Sequence, residues 1–188
     1  MGCLLGDGTL SRSGKYHRLR IEHKASHKQY VDWKYTMLQS ICVSVPKPVP
    51  QHRSWRFGTV GHPELSQWHQ EMYGSGKKEF PATLADWISP LSVAIWFMDD
   101  GNRIHKTVTI SVHGFSKESL ERLAMILSGM GVKSRIHNDG HGARLYIPTN
   151  GYSAFEALVK PYVDEVPCMA YKLVQPRRDY TLAPAKAG

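Results

Sequence analysis

The chain repeats itself. Leu4-Leu5-Gly6-Asp7-Gly8 near the start returns as Phe97-Met98-Asp99-Asp100-Gly101, and the acidic residues that precede glycine, Asp7 and Asp100, lie 93 positions apart. Lys78 closes the first pattern and Lys172 the second, 94 positions apart, which is half of the 188-residue length. Two copies of one unit fold by burying their apolar faces against each other, so the duplication constrains the architecture more than any local pattern does. The expected organisation is a first repeat over 1–90, a second over 91–180 and a low-complexity tail over 181–188.

The elements between the markers recur in the same order. Residues 11–15 read as a polar turn, and residues 17–24 alternate with a period of two, the mark of a half-buried strand. Tyr30, Trp33, Met37 and Ile41 then recur at helical spacing. A strand around 43–49 is spoiled by Pro46 and Pro48 and is expected at a sheet edge or irregular. A strand over 55–60 and a helix over 63–73 follow. In the second half, strand 107–112 leads to a helix with Leu120, Leu123, Ala124 and Leu127 on one face, capped by Ser116 and stopped by Gly129 or Gly131. Strands 133–137 and 143–147 and a helix over 152–159 complete it, with Pro161 and Pro176 read as breakers. The fold class is α+β, two pseudo-symmetric αββαββα repeats, with the five tryptophans, Trp33, Trp55, Trp68, Trp87 and Trp96, in the core.

Charge is concentrated in the first repeat. Residues 11–60 hold ten basic residues against Glu22 and Asp32, a net of +8 that equals the net of the whole chain. In the first long strand Leu19 and Ile21 point to one side and Arg18, Arg20, Glu22 and Lys24 to the other, so one sheet face is core and the other polar and mostly cationic. Arg12, Lys15, Lys47, Arg53 and Arg56 extend this surface. In the second half the outward set is Thr107, Thr109, Ser111, Lys133, Arg135, His137, Arg144 and Tyr146, and Arg103 and His105 are expected on the same binding surface. Ribbons of this kind enter a major groove, where Arg and Lys pair with guanine edges and phosphates, so a polyanionic partner is expected.

Other classes are disfavoured by the same sequence. Hydrophobic content of 41% speaks against disorder. The apolar run over 91–98 is far short of the roughly 18 residues that span a bilayer, and no leader or lipidation pattern is visible. Cys3, Cys42 and Cys168 are odd in number and unpaired in spacing, which points to a reducing intracellular compartment, the bacterial cytoplasm or an organelle matrix. His137 and His141 flank an Asn-Asp-Gly turn without further ligands, which disfavours a metal site there. His23 and His27 are read as contacting phosphate or solvent.

Each acid-then-glycine pair ends an apolar segment, and Gly2, Gly6 and Ala94 would let two such helices approach closely. Side by side they would bring Asp7 and Asp100 together, a repulsive arrangement that divalent cations relieve. Paired carboxylates facing a basic surface are the requirement of two-metal phosphodiester hydrolysis.

These motifs resemble the LAGLIDADG homing endonucleases, specifically the single-chain, two-repeat members encoded within introns. Residues 1–8 resemble the first family motif, and Val93-Ala94-Ile95-Trp96-Phe97-Met98-Asp99-Asp100-Gly101 resembles the second. The resemblance implies motif helices packed together beneath saddle-shaped antiparallel sheets that form the DNA-binding face. It implies Mg²⁺ held by Asp7 and Asp100, with Gly6 and Asp99 beside them, and pocket lysines at Lys78 and Lys172. Mn²⁺ would substitute, and Ca²⁺ would support binding without cleavage. Asp99 and Lys77 stand as alternatives to their neighbours; alignment with Asp7 and the 94-residue offset favour Asp100 and Lys78. The implied activity is a monomeric enzyme making a double-strand break with 3′ overhangs in a long, non-palindromic DNA target. An RNA-binding maturase acting on the host intron and a non-catalytic DNA-binding regulator are the alternatives on the same fold.

Overall fold

A computed structural model describes residues 1–112, 114–138 and 142–174. The expectations for His141, Pro176 and the tail over 181–188 fall outside these residues. The first half runs α1 (Gly2–Leu5), β1 (Thr9–Ser13), β2 (Tyr16–Lys24), α2 (Lys28–Leu38), β3 (Lys47–Val49), β4 (Ser54–Gly58) and α3 (Pro63–Tyr73). The second runs α4 (Pro90–Asp100), β5 (Gly101–Ile104), β6 (Thr107–Ser111), α5 (Lys117–Gly129), β7 (Arg135–Asn138), β8 (Ala143–Ile147) and α6 (Thr149–Asp164). Each half forms one four-stranded antiparallel sheet, ordered β1-β2-β4-β3 and β5-β6-β8-β7. The αββαββα order and the identical strand orders agree with the duplicated sequence.

Alternation decides the sheet faces as expected. Leu10, Leu19, Ile21 and Phe57 of the first sheet and Val108, Ile110, Leu145 and Ile147 of the second are buried. The two sheets meet the helices through α4, in which every residue from Ser92 to Met98 is buried, and through Tyr152, Phe155, Val159 and Val163 of α6. Phe97 and Phe155 lock α4 to α6 edge-on, with ring centroids 5.1 Å apart.

α1 packs on α4 with little space to spare. A Cβ at Gly2 would lie 2.6 Å from the Ser92 carbonyl oxygen, and one at Gly6 would collide with the Asp99 carboxylate. These glycines are therefore fixed by close approach.

Several local expectations shift. Three of the five residues of the polar turn at 11–15 belong to strand β1, because Gly14, at φ +61°, makes the β1–β2 reversal tight enough to pair Ser13 with Tyr16. The proline-flanked strand is confined to Lys47–Val49 on the sheet edge. α2 buries Tyr30, Val31 and Lys34 and leaves Met37 and Ile41 exposed, since the helix ends at Leu38 and its inner face runs one position off the expected stripe. Pro161 sits inside α6 and does not end it; one lost backbone bond is outweighed by burial of Phe155, Val159 and Val163 on either side. Of the tryptophans only Trp96 is fully buried, and Trp87 is 52% exposed where it meets Trp68 edge-on.

Candidate active site and nucleic-acid interface

Asp7 follows the first motif helix, Asp100 ends the second, and the charge of Asp7 reaches Asp100. Burial first, then the neighbouring carboxylates of Asp7 and Asp99, push the Asp100 carboxyl up to about 6, against the pull of Lys78 and Lys172. Asp7 is raised by burial and by Asp99, again against nearby lysines. Two carboxylates disfavoured by burial and by neighbouring carboxylates offer hard oxygen donors that suit a divalent cation.

Lys78 and Lys172 stand at the ends of the two motif helices. The Lys78 Nζ donates to the Leu5 carbonyl oxygen at 3.0 Å, and the Lys172 Nζ donates to the Gly101 carbonyl oxygen at 2.7 Å. Carbonyls at a helix C-terminus attract cations, so each ammonium is fixed beside a carboxylate. Burial lowers the pKa of both lysines, and the three aspartates oppose the shift. Lys77 is exposed, so Lys78 is the lysine turned toward the motif helix.

The segments that carry these lysines are exchanged between the halves. Lys78 N–H donates to the Gly114 carbonyl and Ser116 N–H to the Lys78 carbonyl, while Glu79 accepts from the Ser116 and Ser119 hydroxyls at the start of α5. The Lys172 segment rests on α2, where the Cys168 N–H donates to Gln29 and Trp33 Nε1 donates to Glu165.

Asp99 has a different setting from Asp100. Its carboxylate is wholly buried and accepts from the Tyr30 hydroxyl (2.8 Å), the Lys34 Nζ (2.8 and 3.0 Å) and the Asp7 backbone N–H (3.1 Å). Lys34 also donates to His23 Nε2 at 3.0 Å, and His23 Nδ1 lies 3.6 Å from Asp7 Oδ2. Asp7, His23 and Asp99 place ligand atoms within 4.8 Å of one another, but the Lys34 ammonium already occupies both oxygens of Asp99. Burial first, then Lys34, lowers the His23 pKa to about 4, so His23 is neutral at neutral pH. His23 therefore corrects the expectation of a phosphate- or solvent-facing residue: it is buried. His27 packs its ring against Tyr171.

None of this network was anticipated from the sequence, although the signals were present. His23 shares the period-two parity of Leu19 and Ile21, and Lys34 follows Tyr30 by four residues on the inner face of α2.

Register defines the outward faces. Thr9, Arg20 and Gly58 form one cross-strand row, Ser11 and Arg18 another, and Glu22, Arg56 and Lys47 a third. Lys15 lies in the β1–β2 turn, Lys24 at the exposed end of β2, and Arg53 is exposed at φ +50° before β4. Burial would raise the Glu22 pKa, but bonds from Ser54, His52 and Arg56 hold it near 2, so Glu22 and Arg56 are engaged with each other on this face.

In the second sheet the corresponding rows are Asn102, Thr109, Tyr146 and Arg135; Ile104 and Thr107; and Ser111, Arg144 and His137. Lys133 is exposed before β7 and His105 in the β5–β6 turn.

Two expected members lie on the opposite parity. Arg12 pairs with His17, whose ring stacks on His69 of α3 at 4.0 Å. Arg103 pairs with the buried Val108 and sets its guanidinium over the Tyr152 ring of α6 at 4.9 Å. Counting strand parity from Gly101 gives Asn102 and Ile104 in its place.

Comparison with known proteins fits this geometry. The chain is 27% identical to the cytochrome b mRNA maturase bI2 of Debaryomyces hansenii over 92% of its own length and 71% of the relative's. It is 26% identical to the DNA endonuclease I-ChuI of Chlamydomonas applanata, covering 92% and 91% of the two chains. It is 32% identical to the RecA protein of Mycobacterium gastri over 93% of this chain, but spans only 46% of that relative. Among solved structures, the homing endonuclease I-WcaI bound to its DNA recognition sequence superposes with a TM-score of 0.76 at 27% identity, covering 92% of this chain and 83% of the other. Residues 1–155 match the LAGLIDADG DNA endonuclease family, to which this chain, with a motif helix in each half and a four-stranded sheet beside each, belongs.

Proposed function

We propose that the chain is a monomeric, site-specific homing endonuclease that makes a metal-dependent double-strand break with 3′ overhangs in a long, non-palindromic DNA target. The observation that carries this reading is that Asp7 and Asp100, one from each half, lie near enough for the charge of Asp7 to act on Asp100, with a lysine held by a carbonyl at the end of each motif helix. Asp7 and Asp100 would hold Mg²⁺, with Gly6 beside them, and Mn²⁺ would substitute. Such an ion, when bound, lowers the pKa of a coordinated water and neutralises phosphate charge. Lys78 and Lys172 then present ammonium donors, held by carbonyls, to charge that builds on the phosphate oxygens. The two sheets fix the duplex through phosphate contacts from the first half and base-edge contacts from both.

A cleavage selection on a randomised duplex library with Mg²⁺ tests the reading. One long target with unlike half-sites is expected, because the paired rows differ: Arg20 in one sheet faces the task of Thr109 in the other. Recovery of a perfect palindrome, or of no cleaved duplex, would overturn it. Lys78→Ala and Lys172→Ala are each expected to slow single-turnover cleavage by about 10²-fold. Unchanged rates in both would remove the lysines from the reaction.

The pH dependence follows from Asp100. Its folded pKa is raised, so the free folded protein binds the proton more tightly than the unfolded chain does. The resulting stabilisation is present below the ordinary carboxylate range and is lost as pH rises through about 6. Mg²⁺ must displace that proton. The cleavage rate at subsaturating Mg²⁺ should therefore fall about tenfold per pH unit below the Asp100 pKa and level off above it. A profile that is flat from pH 5 to 8 would contradict Asp100 as a ligand.

A second role, in RNA binding to the host intron, is favoured by the similarity to the maturase of Debaryomyces hansenii. Gel-shift measurement with the RNA that surrounds the coding sequence distinguishes it: binding that survives excess cognate duplex supports a separate RNA-directed activity.

A further inference from the structure

The two halves of the site are built alike in their lysines and unlike in what supports their aspartates. The Asp7 backbone N–H donates to Asp99 Oδ2, and His23 Nδ1 faces the Asp7 carboxylate at 3.6 Å, beyond hydrogen-bond distance. Both neighbours of Asp7 converge on Lys34. Its ammonium fixes Asp99 through both carboxylate oxygens, and its bond to the neutral His23 Nε2 leaves the ring proton on Nδ1, facing Asp7. Tyr30 completes the arrangement by donating to Asp99 Oδ1. The side chain of Lys34 is completely buried.

No equivalent serves Asp100. The 93-residue offset places Gly6 opposite Asp99 in the repeat, and glycine offers no carboxylate. Helices α2 and α5 begin 89 positions apart, which sets Tyr30 against Ser119 and Lys34 against Leu123. The paired strands, with Ile21 on Phe57 and Ile110 on Leu145, set His23 against Val112. Among the described residues no hydrogen bond to the Asp100 carboxylate is found.

We propose that Lys34 is a positioning residue for one half of the site, holding the Asp7 backbone through Asp99 and setting His23 against its side chain, so that the two DNA strands are cut by unequally supported carboxylates. The proposal rests on the nuclease reading for its strand-specific consequence, while the support of Asp7 is a property of the free protein.

A buried lysine removed alone strands the Asp99 charge and can unfold the chain. The informative variant is therefore Lys34→Met/Asp99→Asn, which removes both charges and keeps the volume, studied beside Lys34→Met. Two measurements are made on the folded proteins: hydrogen exchange at the Asp7 amide without metal or DNA, and single-turnover rates for each labelled strand of a duplex that the wild type cuts. The double variant should lose at least about tenfold of its Asp7 amide protection while the Ile21 and Phe57 amides keep theirs, and the ratio of the two strand rates should change by about tenfold. A nicked intermediate should accumulate. Unchanged Asp7 protection, or slowing of both strands by one common factor, would overturn the proposal. If the wild type cuts no duplex, the nuclease reading fails on that result, and the exchange measurement still decides whether Lys34 holds Asp7.

Discussion

Asp7→Asn and Asp100→Asn are each expected to lower single-turnover cleavage by at least about 10³-fold while DNA affinity stays intact or increases. Asparagine keeps the shape of the side chain but removes the anionic oxygen that a hard cation requires. It also removes the cost of burying a charge beside other carboxylates, which raises Asp100, so folding and phosphate contacts should not suffer. Ca²⁺ should mimic the effect in the unaltered protein, supporting a gel shift without a cut. Asp99→Asn separates the two neighbouring acids. It leaves the buried Lys34 without a counter-charge and should destabilise the fold by about 3–5 kcal/mol, visible in urea melts, whereas Asp100→Asn should not. An Asp100→Asn protein that cuts at the normal rate would refute the assignment of Asp100.

The second large effect is on affinity. If about six to ten phosphates are contacted, DNA binding should weaken by roughly 10³ to 10⁵ between 50 and 200 mM salt. The first half should provide more of this response. Residues 1–90 carry 12 basic and 7 acidic residues against 12 and 9 in the remainder. Not all of that charge is available, since Lys34 is buried and Arg56 is held by Glu22. Arg18 and Arg20 remain on the outward face of β2. Replacing both with Ala should reduce the salt slope by about 2, whereas replacing Thr109 and Ser111 should leave it unchanged, because hydroxyls release no counterions. Equal slopes for the two double variants, or a flat response in the wild type, would contradict this orientation of the sheets.

The sequence made the architecture readable because its signals were redundant. A strand such as Tyr16–Lys24 is announced by its alternation, and α5 by its Ser116 cap, whose hydroxyl does accept from the Ser119 N–H. Those cues are local, and the duplication repeated them. Long-range polar pairing was less legible. Lys34 among apolar neighbours looks like one more surface cation until Asp99, 65 residues away, is brought against it. Arg103 departs from expectation for a simpler reason: it is the third residue of a short strand whose parity is fixed by Gly101 and not by charge. Pro161 shows the converse, a strong local breaker overridden by burial on both sides.

The contact between Gly6 and Asp99 has a consequence for descent. A chain made by doubling one unit could in principle revert to two identical subunits, but this one has closed that route. Two copies of the first half would set glycine against glycine and leave Lys34 with no anion. Two copies of the second would drive a pair of Asp99 carboxylates into the space that one now fills beside Gly6. The halves have become lock and key to each other. A second half that carries aspartate at position 99 therefore needs a first half that offers glycine at position 6 and a buried cation at position 34.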